Sequence, residues 1–429
     1  MKARLQEYRD PEGPTGPMDR GNRPGWGFEM RFGTIGAGMA LAVAMTAAAA
    51  EAAEISVTGY VEPELQVFTQ SASGAEQRRW NTSVAAEVTY EAFWDNSNQW
   101  IVVNPFLRWD LRDGERTHVD MREAKYARVV DNWEFRIGLD KVFWGVTEAV
   151  HLVDIINQTD FVESIDGEEK LGQPMASVSS TWEIGTFTGY LLPYFRERTF
   201  ASLSGRPAFD IPVDETQTKY ESGAKRQHLD FALRYSNTFD IWDVGFSYFR
   251  GTNRNPVMIP GLDSGGRLVL IPFYAQTDRV STDIQATSGA WLYKLEGFWQ
   301  DQLDEQNLQA TGGIEYTLFG IFDTPSDIGL VAEYVWDDRG ANSQNPFAND
   351  VFLGLRWTPN DAASTAILAG TTVDLDTQAF GLSLEAERRF GEDYFVSLET
   401  RFFGNVPRSD PIFSNSDDDF IQLRIARHF

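Results

Sequence analysis

The feature that most constrains this chain is an alternation of apolar and polar residues, which recurs from Glu54 to the C-terminus in segments of about ten residues. In the segment 100–112, Leu107 and Trp109 would point to one face, while Arg108 and Asp110 would point to the other. Charged residues recur on the polar face of successive segments, and aromatic residues often end the apolar face. Lipid against the apolar face and water against the charged face account for both features.

The alternation predicts an all-β fold, a transmembrane antiparallel up-and-down β-barrel of about 18 strands, with 16 as the alternative count. The connections alternate between mostly short turns and mostly long loops, as in barrels with short periplasmic turns and long extracellular loops. The segment 267–277 is an alternative strand within the long connection 253–278. The predicted strands are 55–69, 80–94, 100–112, 117–131, 133–145, 175–184, 187–200, 226–237, 241–252, 279–288, 290–302, 307–319, 328–338, 350–358, 365–375, 378–391, 394–405 and 418–429.

One predicted strand departs from the alternation. In 117–131, Glu123 and Lys125 fall on the face assigned to lipid. The sequence pattern offers no reason for two charged residues at these positions.

Composition excludes several other classes of protein. After the N-terminal region, no stretch reaches about 18 apolar residues, so transmembrane helices are excluded there. The net charge of −26 argues against nucleic-acid binding, which needs a basic surface. The absence of cysteine suits passage through an oxidising periplasm.

The N-terminal region predicts secretion. Residues 33–50 form an apolar core, Arg31 precedes it, and the cleavage triplet 50–52 follows it. We therefore expect a signal peptide over 30–52 and a mature chain that begins near Ala53; a membrane anchor helix is the alternative. Residues 1–29 are polar and rich in Gly and Pro, which predicts a disordered extension or a start codon placed too far upstream.

The chain ends in Phe429, and Ile421, Leu423 and Ile425 share its face of the last strand. A terminal strand that ends in Phe resembles the signal by which the barrel-assembly machinery recognises outer-membrane barrels. Arg427 departs from that signal, since its position is usually apolar or aromatic.

The sequence shows no catalytic or metal-binding motif. The four histidines, His118, His151, His228 and His428, are far apart, and none has the spacing of a nucleophile motif or a zinc site. We therefore expect no enzyme activity, no metal and no cofactor. The run 417–419 is interpreted as a solvated loop end; cation-mediated contact with lipopolysaccharide is the alternative.

The connection 146–174 is the longest, lacks clear alternation, and carries seven acidic residues against Lys170. We expect it to fold into the lumen and narrow the pore, with a surface loop as the alternative. The candidate pore-lining or constriction residues are Arg108, Asp110, Arg112, Arg122, Arg136 and Asp140 on the wall, and Glu148, Asp154, Asp160 and Glu163 on the connection.

Several of these positions belong to a recognisable pattern. The pattern consists of four motifs: Met121-Arg122-Glu123-Ala124-Lys125-Tyr126, Arg136-x-Gly138, Phe143-Trp144-Gly145 and Asp154-x-x-Asn157-x-x-Asp160. Together these motifs resemble those of porin-like outer-membrane barrels related to alginate-export channels. The resemblance covers roughly 100–175 and implies a transport barrel. Those relatives commonly carry Arg-Gln where this chain has Asp140-Lys141, so the resemblance does not name the cargo.

Three functions are compatible with the sequence. We expect a channel for passive diffusion of small polar or charged solutes, with weak cation selectivity because acidic residues exceed basic ones. The second hypothesis is an adhesin or surface receptor that acts through the long loops. The third is a membrane-embedded hydrolase. The expected partners are outer-membrane lipid, lipopolysaccharide and the assembly machinery, and a homo-oligomer is left open.

Overall fold

The computed structural model describes residues 53–72, 74, 76–343 and 345–429. The predicted extension 1–29 and signal peptide 30–52 lie outside the described residues. The described part is all-β, with no α-helix and five short 3-10 helices. None of its helices has the length and apolar character needed to cross a membrane.

The strands of the described residues form two sheets. The strands are β1 (Glu54–Phe68), β2 (Trp80–Trp94), β3 (Gln99–Asp110), β4 (His118–Val130), β5 (Trp133–Asp140), β6 (Gln173–Trp182), β7 (Gly185–Leu192), β8 (Lys219–Tyr220), β9 (Asp230–Phe239), β10 (Trp242–Thr252), β11 (Val257–Leu262), β12 (Leu268–Tyr274), β13 (Gln276–Ser288), β14 (Trp291–Gln302), β15 (Glu305–Leu318), β16 (Asp327–Asp337), β17 (Asn349–Thr358), β18 (Ala366–Asp374), β19 (Phe380–Phe390), β20 (Tyr394–Gly404) and β21 (Phe420–His428). Eighteen of them form one sheet, and β8, β11 and β12 form a separate three-stranded sheet.

The large sheet is a closed barrel. Each of its strands pairs antiparallel with its neighbours in sequence, and β21 returns to pair with β1. The predicted 18-stranded barrel is therefore confirmed. The alternative strand at 267–277 also exists, as β12, but it pairs with β11 and β8 outside the barrel.

The two faces of the barrel strands differ as the alternation predicts. On β3, Leu107 and Trp109 are exposed on the outer surface, while Arg108 and Asp110 are buried inside. Because successive side chains of a strand point to opposite faces, one choice of register sets the environment of every residue on the strand. The outer surface of the barrel is therefore an apolar band, and the inner surface carries the charges.

A β-bulge explains the departure in β4. The pairing of β3 with β4 shifts after Asn104, so that Arg122 is an extra residue in β4. An extra residue reverses the faces of the residues that follow it. Glu123 and Lys125 therefore point inward, where Lys125 Nζ lies 2.6 Å from a carboxylate oxygen of Asp140. The two charged residues that conflicted with the alternation are inner-surface residues.

The connections lie at two rims. The short-turn rim holds 95–98, 131–132, 183–184, 240–241, 289–290, 319–326, 359–365 and 391–393, and the long-loop rim holds 69–79, 111–117, 141–172, 193–229, 253–275, 303–304, 338–348, 375–379 and 405–419. The longest connections all leave from the second rim, and they are the segments available to fill or cover the lumen.

The C-terminal residue belongs to the seam that closes the barrel. Phe429 N donates to Gly59 O at 3.0 Å, and Gly59 N donates to Phe429 O at 3.1 Å. The Phe429 ring lies over Gly59, where an added Cβ would be 2.7 Å from the ring. Glycine at 59 therefore lets the terminal aromatic ring lie flat against β1.

Deleting Phe429 removes both hydrogen bonds and the ring from this seam. We expect slower assembly and less folded barrel, and Phe429→Tyr should assemble normally because it keeps both features. The measurement is the fraction of heat-modifiable, folded protein in outer-membrane material. Wild-type levels in the deletion variant would contradict the prediction.

Candidate channel constriction

Residues 141–172, here called the constriction loop, leave β5 and lie inside the barrel. Glu148 contacts Arg356 on β17 at 2.7 Å, and Glu163 contacts Arg108 on β3 at 2.8 Å. These two strands belong to well-separated parts of the barrel wall, so one loop reaches both across the lumen.

Two buried carboxylates hold the first part of the loop. Glu296 on β14 is fully buried, and Glu333 on β16 is nearly so. Backbone N–H groups of Val146, Thr147 and Val153 donate to Glu296 at 2.6, 2.8 and 3.2 Å, and the Thr147 hydroxyl donates at 2.7 Å. The N–H groups of residues 148 and 149 donate to Glu333 at 2.8 Å. The loop backbone thus supplies the donors that buried carboxylates need.

Apolar contacts hold the middle of the loop. Val153, Ile155 and Ile156 are almost completely buried, and they form one cluster with Leu192 on β7 and Phe249 on β10. The inner wall of the barrel is therefore apolar at the place where the loop presents apolar side chains. Burying a side chain of this size stabilises the docked loop by about 1.5–3 kcal/mol.

Ion pairs hold the last part of the loop against β3 and β4. The guanidinium of Arg108 binds both oxygens of Glu163 at 2.8 Å. Arg122 lies 2.6 Å from Glu169 and 3.7 Å from Asp160. Both arginines are buried, so this side of the lumen is filled by the loop.

The carboxylates at this side differ in proton affinity. Burial and the neighbouring Glu163 raise the pKa of Asp160 from its usual 3.8 to about 6. Burial would also raise the pKa of Glu163, but the guanidinium groups of Arg108 and Arg116 together outweigh burial and lower it. Asp160 therefore takes up a proton first when the pH falls.

Two further predicted wall residues, Asp140 and Asp110, are buried rather than exposed in the lumen. Asp140 is buried and lies 3.6 Å from Arg136 on the same strand. Asp110 is buried, and one of its carboxylate oxygens accepts from Asn81 at 2.8 Å and from Arg116 at 3.1 Å.

The predicted position of Arg112 at the constriction is wrong. It lies in the turn after β3, and its guanidinium stacks over the exposed outer-surface ring of Trp80 at 4.5 Å. The alternation of β3 ends at Asp110, so the face of a strand residue cannot be extended to a turn residue.

The motif residues that resemble alginate-export-type barrels fix the backbone at the start of the constriction loop. Asp154 accepts from Trp144 N at 2.7 Å and from Gly145 N at 3.1 Å. Asn157 accepts from the backbone at 142 and donates to the carbonyls at 140 and 171, between 2.8 and 2.9 Å. Gly138 has a φ of +136°, and an added Cβ would lie 2.1 Å from Ala124 O. In this chain, these residues fix the path of the backbone.

Exposed charges remain where the loop faces the strands β17 to β20. There Glu168 of the loop and Glu385 of the wall have side chains that are 57% and 48% exposed. Four ion pairs delimit this region, here called the open ring. Two join the loop to the wall, Glu148 to Arg356 at 2.7 Å and Asp166 to Arg401 at 3.2 Å; one lies within the loop, His151 to Glu168 at 2.8 Å, and one within the wall, Arg401 to Glu385 at 2.6 Å. Arg356, Leu368 and Glu385 are successive cross-strand neighbours, which places the wall part of the ring at one level.

A second segment covers the filled side from the long-loop rim. Residues 193–213, the mouth segment, run from β7 towards the connections on the other side of the rim. Arg206 Nε donates to Asp418 at 2.6 Å, and Ser202 N donates to Asp113 at 3.1 Å. The mouth segment is therefore fixed to the connection after β3 and to the connection before β21.

The histidines have separate surroundings. His151 belongs to the open ring, His118 lies 3.9 Å from Glu163, and His228 lies 2.7 Å from Asp230. The ring of His428 lies beside Tyr60. Within the described ranges, no group of three or more metal-ligating side chains is placed to hold an ion.

Sequence reasoning missed most of the open ring. Arg356, Arg401 and Glu385 are inner-surface residues by alternation, but nothing in their own segments marks them as the exposed ones. His151 was read only as an isolated histidine. The available signal was the acidic run 166–169, which contributes the loop side of the ring.

Replacing Glu296 with Gln should loosen the first part of the loop. The amide presents its own N–H groups to backbone donors, and an unpaired buried donor costs about 1–3 kcal/mol. We expect faster amide hydrogen exchange in residues 146–153, with Glu392→Gln, an exposed turn variant, as the matched control. Equal exchange in wild type and Glu296→Gln would show that the carboxylate does not hold the loop.

Replacing Asp160 with Asn should stabilise the protein above pH 6. The folded state raises the pKa of Asp160, so its proton contributes stability below the usual pKa and that contribution is lost as the pH rises through about 6. Thermal unfolding followed by circular dichroism at pH 8 and pH 5 tests this. We expect a higher melting temperature for Asp160→Asn at pH 8 and little difference at pH 5; the reverse pattern would refute the cause assigned to the shift.

Solved porin structures are similar to this chain. A porin from Rhodopseudomonas blastica with two substitutions aligns with a TM-score of 0.42 and 12% identity, covering 88% of this chain and 100% of that chain. A triple mutant of the same porin aligns with a TM-score of 0.43 at the same identity and coverage. At such TM-scores, the architecture of this chain rests on its own strand pairing. No family model matches the chain, and no curated protein matches it.

Proposed function

We propose that the protein is an outer-membrane channel for the passive diffusion of small polar or charged solutes. The observation that carries the proposal is the constriction loop, which docks inside a closed barrel against β3 and β4 and leaves charged side chains exposed where it faces β17 to β20. A loop docked in this way narrows a passage without closing the barrel wall.

The outer surface supports a membrane location. Exposed apolar side chains occur on the outer face around the whole barrel, among them Val57, Leu107, Phe135, Leu191, Phe246, Leu295, Leu330, Leu355, Leu382 and Leu423. Closure satisfies the backbone hydrogen bonds of every barrel strand, which is the condition for strands to cross a lipid bilayer. The same proposal includes a secretory signal at 30–52, assembly by the barrel machinery, contacts with lipopolysaccharide and a homo-oligomer.

Surface recognition is the second candidate function. The mouth segment, the three-stranded sheet and the loop 405–419 form an extended structure at the long-loop rim, which is the kind of surface an adhesin or receptor presents. A measurement of conductance distinguishes a channel from an adhesin, a receptor or a membrane-embedded hydrolase. Only the channel needs a pathway for ions.

The test is single-channel recording of the refolded protein in planar bilayers. We expect discrete current steps that increase with salt concentration, because the passage beside the open ring is wet. Reversal potentials across a KCl gradient should show weak cation selectivity that fades at 1 M salt, where the screening length falls to about 3 Å.

Two outcomes would change the proposal. A folded protein that gives no current steps would favour surface recognition. Clear anion selectivity would favour an anionic cargo, like that of the alginate-export channels that residues 100–175 resemble.

A further inference from the structure

We infer that Glu168 and Glu385 bind the positively charged group of a solute as it passes the open ring, so that the channel favours solutes with an ammonium or guanidinium group over anions of similar size. This inference rests on the proposed function. It concerns the class of solute and the residues that select it.

The part of the ring around Arg401 has more carboxylates than cations. Arg401 lies 2.6 Å from Glu385, 3.2 Å from Asp166 and 3.2 Å from Glu399. Arg424 also contacts Glu399, at 3.0 Å. Two guanidinium groups thus face three carboxylates. Arg424 also lies 3.5 Å from Glu64, but Glu64 is already paired with Arg108 and Arg116.

The loop side of the ring has the same imbalance. His151 lies 2.8 Å from Glu168 and 3.9 Å from Glu296. Burial would lower the pKa of His151, but these two carboxylates raise it to about 10, so the imidazolium is present at neutral pH. The other cation near Glu168 is Lys170, which lies 4.0 Å from Asp154. Two cations then face three carboxylates, so negative charge remains in excess on the loop.

The remaining cations of the ring are matched. Arg356 contacts Glu148 at 2.7 Å and Glu315 at 3.7 Å, and Lys294 lies 3.7 Å from Glu148. Because two cations face two carboxylates, this part of the ring has no excess of negative charge. The excess charge of the ring therefore lies with Glu168 and Glu385.

Exposure decides what a solute meets first. The side chains of Glu168 and Glu385 are 57% and 48% exposed, whereas those of Arg356 and Arg401 are 34% and 16% exposed. A passing solute thus meets carboxylate oxygens, with the guanidinium groups behind them. An ammonium or guanidinium group can donate charge-assisted hydrogen bonds to those oxygens, and an anion is repelled by the same field.

The filled side does not contribute to this selection. Glu163 and Asp160 are buried against Arg108 and Arg122. The acids of the loop therefore fall into two groups, and the net charge of the loop overstates what a solute experiences.

The experiment compares permeation of argininium and glutamate, two probes of similar size and opposite charge. Reversal potentials are measured in bilayers across gradients of arginine chloride and of potassium glutamate, for the wild type, Glu168→Gln, Glu385→Gln and the double variant. Glu115→Gln, an exposed carboxylate at the long-loop rim, is the matched control. Heat-modifiability confirms that each variant is folded.

We expect the wild type to favour argininium. Each single substitution should lower the argininium-to-glutamate permeability ratio about two- to fivefold, the range for losing one exposed ion pair, and the double variant should lower it further. Glu115→Gln should match the wild type. Glu385→Gln leaves the His151 contact intact, so it separates selection from loop displacement.

The outcomes distinguish the two proposals. A conducting wild type whose permeability ratio is the same in both single variants and in the double variant would overturn the inference and leave the channel function standing. Preference of the wild type for glutamate would also overturn the inference. Absence of any conductance in the folded wild type would overturn the proposed function, and the inference with it.

Discussion

The docking of the constriction loop on the inner wall is the interaction on which the interior of this barrel depends. A barrel wall that carries Glu296 and Glu333 at buried positions needs donors for them, because an unpaired buried carboxylate is costly. The loop supplies those donors from its backbone. In return, the wall fixes residues 146–153 to one place, and this decides which side of the lumen is filled.

The loop is held by three different kinds of contact, each at a different part of the wall. Backbone amides meet carboxylates on β14 and β16, apolar side chains meet Leu192 and Phe249, and loop acids meet Arg108 and Arg122. Because the three parts of the wall differ, the loop has one arrangement that satisfies all of them at once. A shift along the loop would place acids on the apolar part and leave the arginines unpaired.

The architecture could be predicted from the sequence because it depends on a local rule. Alternation along a strand is visible in the sequence, and it predicted 18 strands, their order and the inner and outer faces. The rule failed at Glu123 and Lys125 because a single bulge at Arg122 reverses it. It also failed at Arg112, which lies beyond the end of β3.

The open ring could not be predicted in the same way. Whether an inner-surface residue faces water or the loop depends on contacts between distant segments, such as Arg356 with Glu148 and Arg401 with Asp166. Arg108 and Arg401 look alike in their own strands, and only the path of the loop makes the first an anchor of the loop and the second part of the open ring.

The net charge of a chain is a poor guide to what a solute meets, for a physical reason that this barrel illustrates. Ion pairs within about 4 Å remove each other's field at longer range, so only the charges left over at exposed positions act on a solute. Four residues that carry the resemblance, Gly138, Trp144, Asp154 and Asn157, set the path of the loop and take part in none of the four ion pairs of the open ring. Arg356, Glu385 and Arg401 lie outside the segment of resemblance, 100–175. Barrels that share this segment can therefore share the loop path and still select different solutes, because the other half of the ring is encoded elsewhere in the chain.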